Sequence, residues 1–219
     1  MPTNPRLPRR FFRADAESLA RKLLGQRLVR ILPDRTRLAG LIVETEAYLG
    51  EPDAASHAYR RRRTPRNEAM YAPPGTSYVY FTYGMHFCFN IVCGKTNEPL
   101  AVLIRALEPT EGQQAMRRNR LSAPRPMPKP IADTALCSGP ARLCQALAID
   151  RSLNGIDLTT DGRLFLEPAS GPVADDLVQR TPRIGVAYAG DWAARPLRFV
   201  IRGNPHISRK TVPKLAKFR

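Results

Sequence analysis

Apolar positions along this chain fall mostly in short runs broken by Gly, Pro and charged residues. That pattern predicts strands more often than helices. Leu19, Leu23 and Leu24 recur at helical spacing between Asp15, a capping residue, and Gly25, a stop, and predict a helix over residues 15–24. Residues 27–32 and 37–46 read as strands joined around Pro33 and Asp34. Residues 52–74 form a long polar, Arg-rich and turn-rich loop, and long loops inside compact domains tend to be functional. Residues 76–83 and 85–93 read as a hairpin meeting near Gly84, dense in rings: Tyr78, Tyr80, Phe81, Tyr83, Phe87 and Phe89. A strand over 100–107 carries Arg105 inside an apolar run, and a helix is predicted over 110–119. Ser138 can cap a helix over 139–148, and short strands are expected near 164–166, 184–188 and 197–201. With no internal repeat, these elements describe a single α+β domain built on a curved, mainly antiparallel sheet. Residues 1–10 and 209–219 are expected to be flexible basic termini, and the four prolines within 123–130 a mobile loop.

Charge changes the picture most. The chain has 219 residues with 35 Lys+Arg against 19 Asp+Glu, a formal net charge of +16. The excess is clustered: Arg60 to Arg63 with Arg66, Arg117 to Lys129, and eight Lys or Arg without an acid from Trp192 onward. Such segments suit a phosphate-tracking surface better than mere solubility, because phosphate neutralisation dominates nucleic-acid affinity. No apolar run is long enough to span a membrane, and the N-terminus lacks a secretory core. The four cysteines make no C-x-x-C pair and the three histidines lack zinc-finger spacing, so reduced, buried thiols and no metal site are expected.

The chemistry concentrates where the second strand runs from Leu41, Ile42 and Val43 into Glu44 and Glu46. An unpaired carboxylate removed from water costs several kcal/mol, so a charged strand interior needs a partner or a task. Two apart on a strand, these carboxylates share a face at roughly 6–7 Å, a spacing open to acid–base work at a glycosidic centre. Tyr48 shares that face. Spacing alone leaves the two acids interchangeable, and the plain alternative for either is a structural partner for Arg105. Asn90, in an apolar strand, needs partners: it caps an irregularity or reads a base edge. His57 follows in the Arg-rich loop.

The motifs bearing these residues are long. They are Ile42 to Gly50 (IVETEAYLG), Thr64 to Asn67 (TPRN), Tyr78-Val79-Tyr80 with Tyr83-Gly84-Met85, and Arg105 to Pro109 (RALEP). Cys137 to Pro140 (CSGP), Leu143 to Ile149 (LCQALAI) and Arg195 to Phe199 (RPLRF) complete the set. In these the chain resembles the alkyladenine DNA glycosylase family, the mammalian-type 3-methylpurine DNA glycosylases, over nearly its whole length. His86 and Phe89 depart from the vertebrate pattern.

The resemblance implies a monofunctional base-excision-repair enzyme. It would flip alkylated or deaminated purines, of the 3-methyladenine, hypoxanthine or ethenoadenine type, out of duplex DNA from the minor groove and hydrolyse the N-glycosidic bond. It implies Glu46 as the base that activates water, with Arg105 and the main chain near Ile184 holding it. Tyr48, His57 and Tyr80 would sandwich the flipped purine, and Asn90 would screen against the guanine amine. Tyr83 would fill the gap in the stack, with Met85 beside it on a protruding hairpin and Arg63 and Arg66 on the DNA. A monomer without cofactor is expected, cytoplasmic and nucleoid-associated in a bacterium or nuclear in a eukaryote. Two rivals from the residues alone are a non-catalytic nucleic-acid-binding module and a sugar-acting hydrolase using Glu44 with Glu46.

Overall fold

A computed structural model of the protein describes residues 6–82, 84–121, 130–168 and 171–208. Two helices open the chain, α1 (Arg9–Phe12) and α2 (Ala16–Leu23). Asp15 caps α2 by accepting from the Ser18 N–H, and Gly25 leaves it at φ +81°. The stretch expected as a flexible N-terminus is anchored from Arg6 onward: Arg6 donates to the Thr160 carbonyl at 2.7 Å, and the Leu7 N–H to Leu166 at 2.9 Å. Strands β1 (Arg27–Ile31) and β2 (Arg37–Tyr48) follow, with β2 two residues longer than the sequence suggested. The loop over 49–76 contains only two short 3-10 turns. Then come β3 (Ser77–Thr82), β4 (His86–Cys93) and β5 (Leu100–Glu111).

Because β5 runs on to Glu111, the next helix starts later than expected, as α3 (Gln113–Leu121). Gly112 makes the join at φ +77°, where a Cβ would lie 2.5 Å from Leu38, so only glycine fits the corner. After α4 (Asp133–Leu136) and α5 (Pro140–Ala146), β6 (Leu164–Glu167), β7 (Val178–Thr181) and β8 (Arg198–Ile201) complete the sheet. Two expectations fail here. Ser138 does not cap α5: Gly139 is the N-cap, and the Ser138 hydroxyl accepts from Arg142 instead. Residues 184–188 form no strand, because Ile184 turns its N–H to a side chain and a 3-10 turn begins at Ala187.

All strand pairs are antiparallel, in the order β3-β4-β5-β2-β1-β6. β2 is the branch point. One edge pairs with β5; the other is divided, with residues 37–41 on β1 and 44–46 on β8, which also pairs with β7. Strand alternation then separates two faces. Val79, Phe89, Ile91, Val102 and Ile104 point to the main core, where the helices pack. The Thr45 hydroxyl donates to the Ala20 carbonyl of α2, so Glu44 and Glu46 point the other way. On that second face lie Tyr78, Tyr80, Cys88, Asn90, Leu103 and Arg105, roofed by the 49–76 loop and residues 184–188. All four cysteines are buried free thiols. No helix among the described residues is long and apolar enough to cross a membrane.

Candidate active site

Glu46 is completely buried and has three partners. The Tyr48 hydroxyl donates to Oε2 at 3.0 Å and the Ile184 N–H to Oε1 at 2.8 Å. Arg105 Nη1 lies 3.2 Å from Oε2. Tyr48, Arg105 and Ile184 all line a cavity on this sheet face, so Glu46 meets that cavity through the groups that hold it. Burial, with the Glu46 charge beside it, pushes the Tyr48 phenol well above its ordinary range, so Tyr48 stays a donor. Burial works against the Arg105 cation, but Glu46 and Glu44 outweigh it and raise its pKa further.

The two acids are not equivalent. Glu44, also fully buried, accepts from Arg105 Nε at 2.8 Å, Arg198 Nε at 2.7 Å, the Ser208 N–H at 2.6 Å and the Ser208 hydroxyl at 2.8 Å. Burial alone would raise its pKa, but the two guanidiniums and the Ser208 N–H hold it below the usual carboxylate range. With four donors on its two oxygens, Glu44 is saturated as a structural acceptor, which removes the reason to pair it with Glu46 as a second acid for a sugar.

Aromatic rings make the other walls. His57 meets Tyr80 edge-on at 4.6 Å between centroids, and its Nδ1 lies 2.7 Å from the Tyr78 hydroxyl. Burial first, then Arg66 and Arg62, lower the His57 pKa to about 4, so the ring is neutral at pH 7. Burial raises the Tyr78 phenol, which therefore keeps its proton and shares one hydrogen bond with the neutral ring at Nδ1. Asn90 is buried opposite Tyr78 in the hairpin register and donates to the Tyr78 carbonyl at 3.0 Å. It lines the cavity as well, so it ties a strand and faces the pocket together.

The sequence-predicted DNA contacts are more dispersed. Met85 is 53% exposed on the β3–β4 turn, while Tyr83 lies outside the described residues. Arg66 donates to the Phe81 carbonyl at 3.0 Å and lies 6.0 Å from the centre of the Tyr80 ring. Arg63 pairs with Glu68 and covers the Tyr71 ring at 4.3 Å.

Two neighbours of the pocket escaped the sequence reading. Arg183 is fully buried, grips Asp53 with both terminal nitrogens at 2.6 and 2.8 Å, donates to the Ala47 carbonyl and lies 4.7 Å above the Tyr48 ring. It therefore ties the roof loop to the pocket strand, one residue before the Ile184 N–H that reaches Glu46. Arg198 is a lone cation in an apolar strand, and Arg183 a lone cation in the run from Pro182 to Val186. The signal that singled out Arg105 was present at both.

The sequence model of the Methylpurine-DNA glycosylase (MPG) family matches residues 10–205. The human protein named DNA-3-methyladenine glycosylase is 48% identical over 204 residues, covering 93% of this chain and 68% of the human one. Its mouse namesake is 47% identical over 207 residues, covering 93% of this chain and 61% of its own length. A Methanocella arvoryzae protein named as a candidate 3-methyladenine DNA glycosylase is 46% identical over 206 residues, covering 94% and 97%. Matched through all eight strands and around the whole of the Glu46 pocket, the chain belongs to the methylpurine-DNA glycosylase family.

Proposed function

We propose that this protein frees alkylated or deaminated purines from duplex DNA by hydrolysis, with Glu46 as the base for the attacking water. The coarser part follows from the family: a DNA glycosylase acting in repair, a hydrolase of N-glycosyl bonds. The observation that carries the finer part is the fully buried Glu46, held by Tyr48, Ile184 and Arg105 behind a cavity walled by rings.

In this reading the damaged nucleotide leaves the stack, at a cost of a few kcal/mol that is least for weakly paired bases. Its purine enters against Tyr48, His57 and Tyr80, aromatic faces that favour a cationic methylated ring. With Nδ1 engaged by Tyr78, His57 would meet the base edge through Nε2. Asn90, fixed by its bond to Tyr78, stands against an exocyclic amine. Water would enter beside Glu46, between Arg105 and the Ile184 main chain, and Glu46 takes its proton as the glycosidic bond breaks. The developing sugar cation faces this fixed carboxylate, the kind of preorganised charge that supplies much of catalysis. The hairpin bearing Tyr83 and Met85 would enter the minor groove as the base leaves, and Arg63 and Arg66 would meet phosphates. The protein would act as a monomer, on chromosomal DNA in a nucleoid or a nucleus.

Glu46→Gln is expected to keep binding a hypoxanthine or 1,N6-ethenoadenine duplex and to lose base release. Single-turnover excision at the wild-type rate would remove Glu46 from the mechanism.

A further inference from the structure

Three corners of the Arg105 guanidinium are tied to three different groups. Nε donates to Glu44 Oε1 at 2.8 Å, Nη2 to the Ser208 hydroxyl at 3.3 Å, and Nη1 lies 3.2 Å from Glu46 Oε2. A planar, rigid fork fixed at two corners has no freedom left at the third. The contact with Glu46 is thus aimed by Glu44 and Ser208.

Glu44 is itself aimed by Ser208. Its Oε1 accepts from Arg105, Arg198 and the Ser208 hydroxyl, while Oε2 accepts from the Ser208 N–H. One residue therefore bridges both carboxylate oxygens and also accepts from the arginine, using the single donor and one lone pair of a hydroxyl. The segment is brought there by built contacts. Asn204 donates to Glu108 on β5 at 2.8 Å, and its Oδ1 accepts from the His206 N–H at 2.9 Å. Ser208 then packs beside Gly139, where a Cβ would stand 3.8 Å from its own. Ser208 lies beyond the family match, which stops at residue 205.

We propose that Ser208 is a positioning residue for the reaction: the segment after β8 folds back under the pocket, and its last described residue clamps Glu44 and Arg105 so that Nη1 is held against Glu46. This rests on the reading of Glu46 as the base. Ser208 touches no substrate and acts only through the arginine.

The test is single-turnover excision from a hypoxanthine duplex by the full chain, with lesion-duplex affinity and thermal midpoint measured beside it. Displacements of an ångström at a reacting centre reach a hundredfold in rate, so Ser208→Ala, which loosens one corner, should slow excision about 5- to 20-fold. Duplex affinity should stay within about twofold, the mark of a group that serves the chemical step. Ser208→Thr, which keeps hydroxyl and N–H, should restore the rate. In an Arg105→Gln background, Ser208→Ala should add little, because residues acting through one another are not additive. The inference is overturned by a wild-type rate in Ser208→Ala, by a loss that follows affinity or folded fraction, or by additivity with Arg105→Gln. Glu46→Gln run alongside separates the two readings. If it excises normally, the base assignment fails whatever Ser208 does; if it is inactive and Ser208→Ala is not slowed, only the present inference fails.

Discussion

At the scale of single residues, the pocket is a set of protonation states fixed by burial. His57 shows this most directly. Its pKa falls from 6.5 to about 4 on folding, so between those values the unfolded chain holds more protons than the folded one. The stability that neutral His57 contributes is therefore present above pH 6.5 and is lost as the pH falls toward 4. His57→Gln removes this linkage. Its denaturation midpoint should decline less than that of the wild type between pH 6.5 and about 4, and an equal decline would place the titration elsewhere. Glu44 moves the opposite way from burial's own tendency because two guanidiniums and an N–H outweigh it. Single letters could not separate Glu44 from Glu46. They differ by what reaches them from residues 184, 198 and 208, and that information is in the topology.

At the scale of elements, what was legible was local. The capped α2, the strand-to-acid run of β2 and the aromatic hairpin each carry their signal within a dozen residues. What misled was also local. Residues 184–188 have a strand's composition but spend the Ile184 N–H on Glu46, and a Ser at 138 suggested a cap where Gly139 supplies one. The least legible element contact is Asp53 with Arg183, which joins the roof loop to residues 130 positions away. Removing one member of a buried pair strands the other charge, at a cost of about 3–5 kcal/mol, whereas replacing both with neutral groups of similar size is far milder. Arg183→Met should therefore lower unfolding free energy by that order in urea titration, and Asp53→Asn with Arg183→Met should recover most of it. Equal loss in the single and double variants would show that the pair contributes packing rather than compensation.

At the scale of the whole molecule, net charge decides how DNA is met. With +16 on 219 residues, affinity for undamaged duplex should fall along a straight line in log affinity against log salt. The arginines do not contribute alike. Arg62 is exposed and lines a second hollow that adjoins the cavity at Ser56 and His57, while Arg63 is engaged with Glu68 and Tyr71. Arg62→Ala should lower the salt slope by about one unit, the signature of a lost phosphate contact, and Arg63→Ala by less. Equal slopes for wild type and Arg62→Ala would take this residue off the phosphate path.

The divided edge of β2 has a consequence for how the enzyme comes into being. Glu44 and Glu46 sit where β2 is flanked by β5 and by β8, strands that begin more than fifty and more than one hundred and fifty positions downstream. Such non-local pairings close large loops and form late and slowly in folding. An early hairpin or helical fragment of this chain lacks the Ile184 N–H that reaches Glu46 and the Arg198 and Ser208 donors that hold Glu44, because these arrive from the last part of the sequence. A nascent or partly folded molecule, still strongly basic, would cling to DNA yet be unable to cut a base from it.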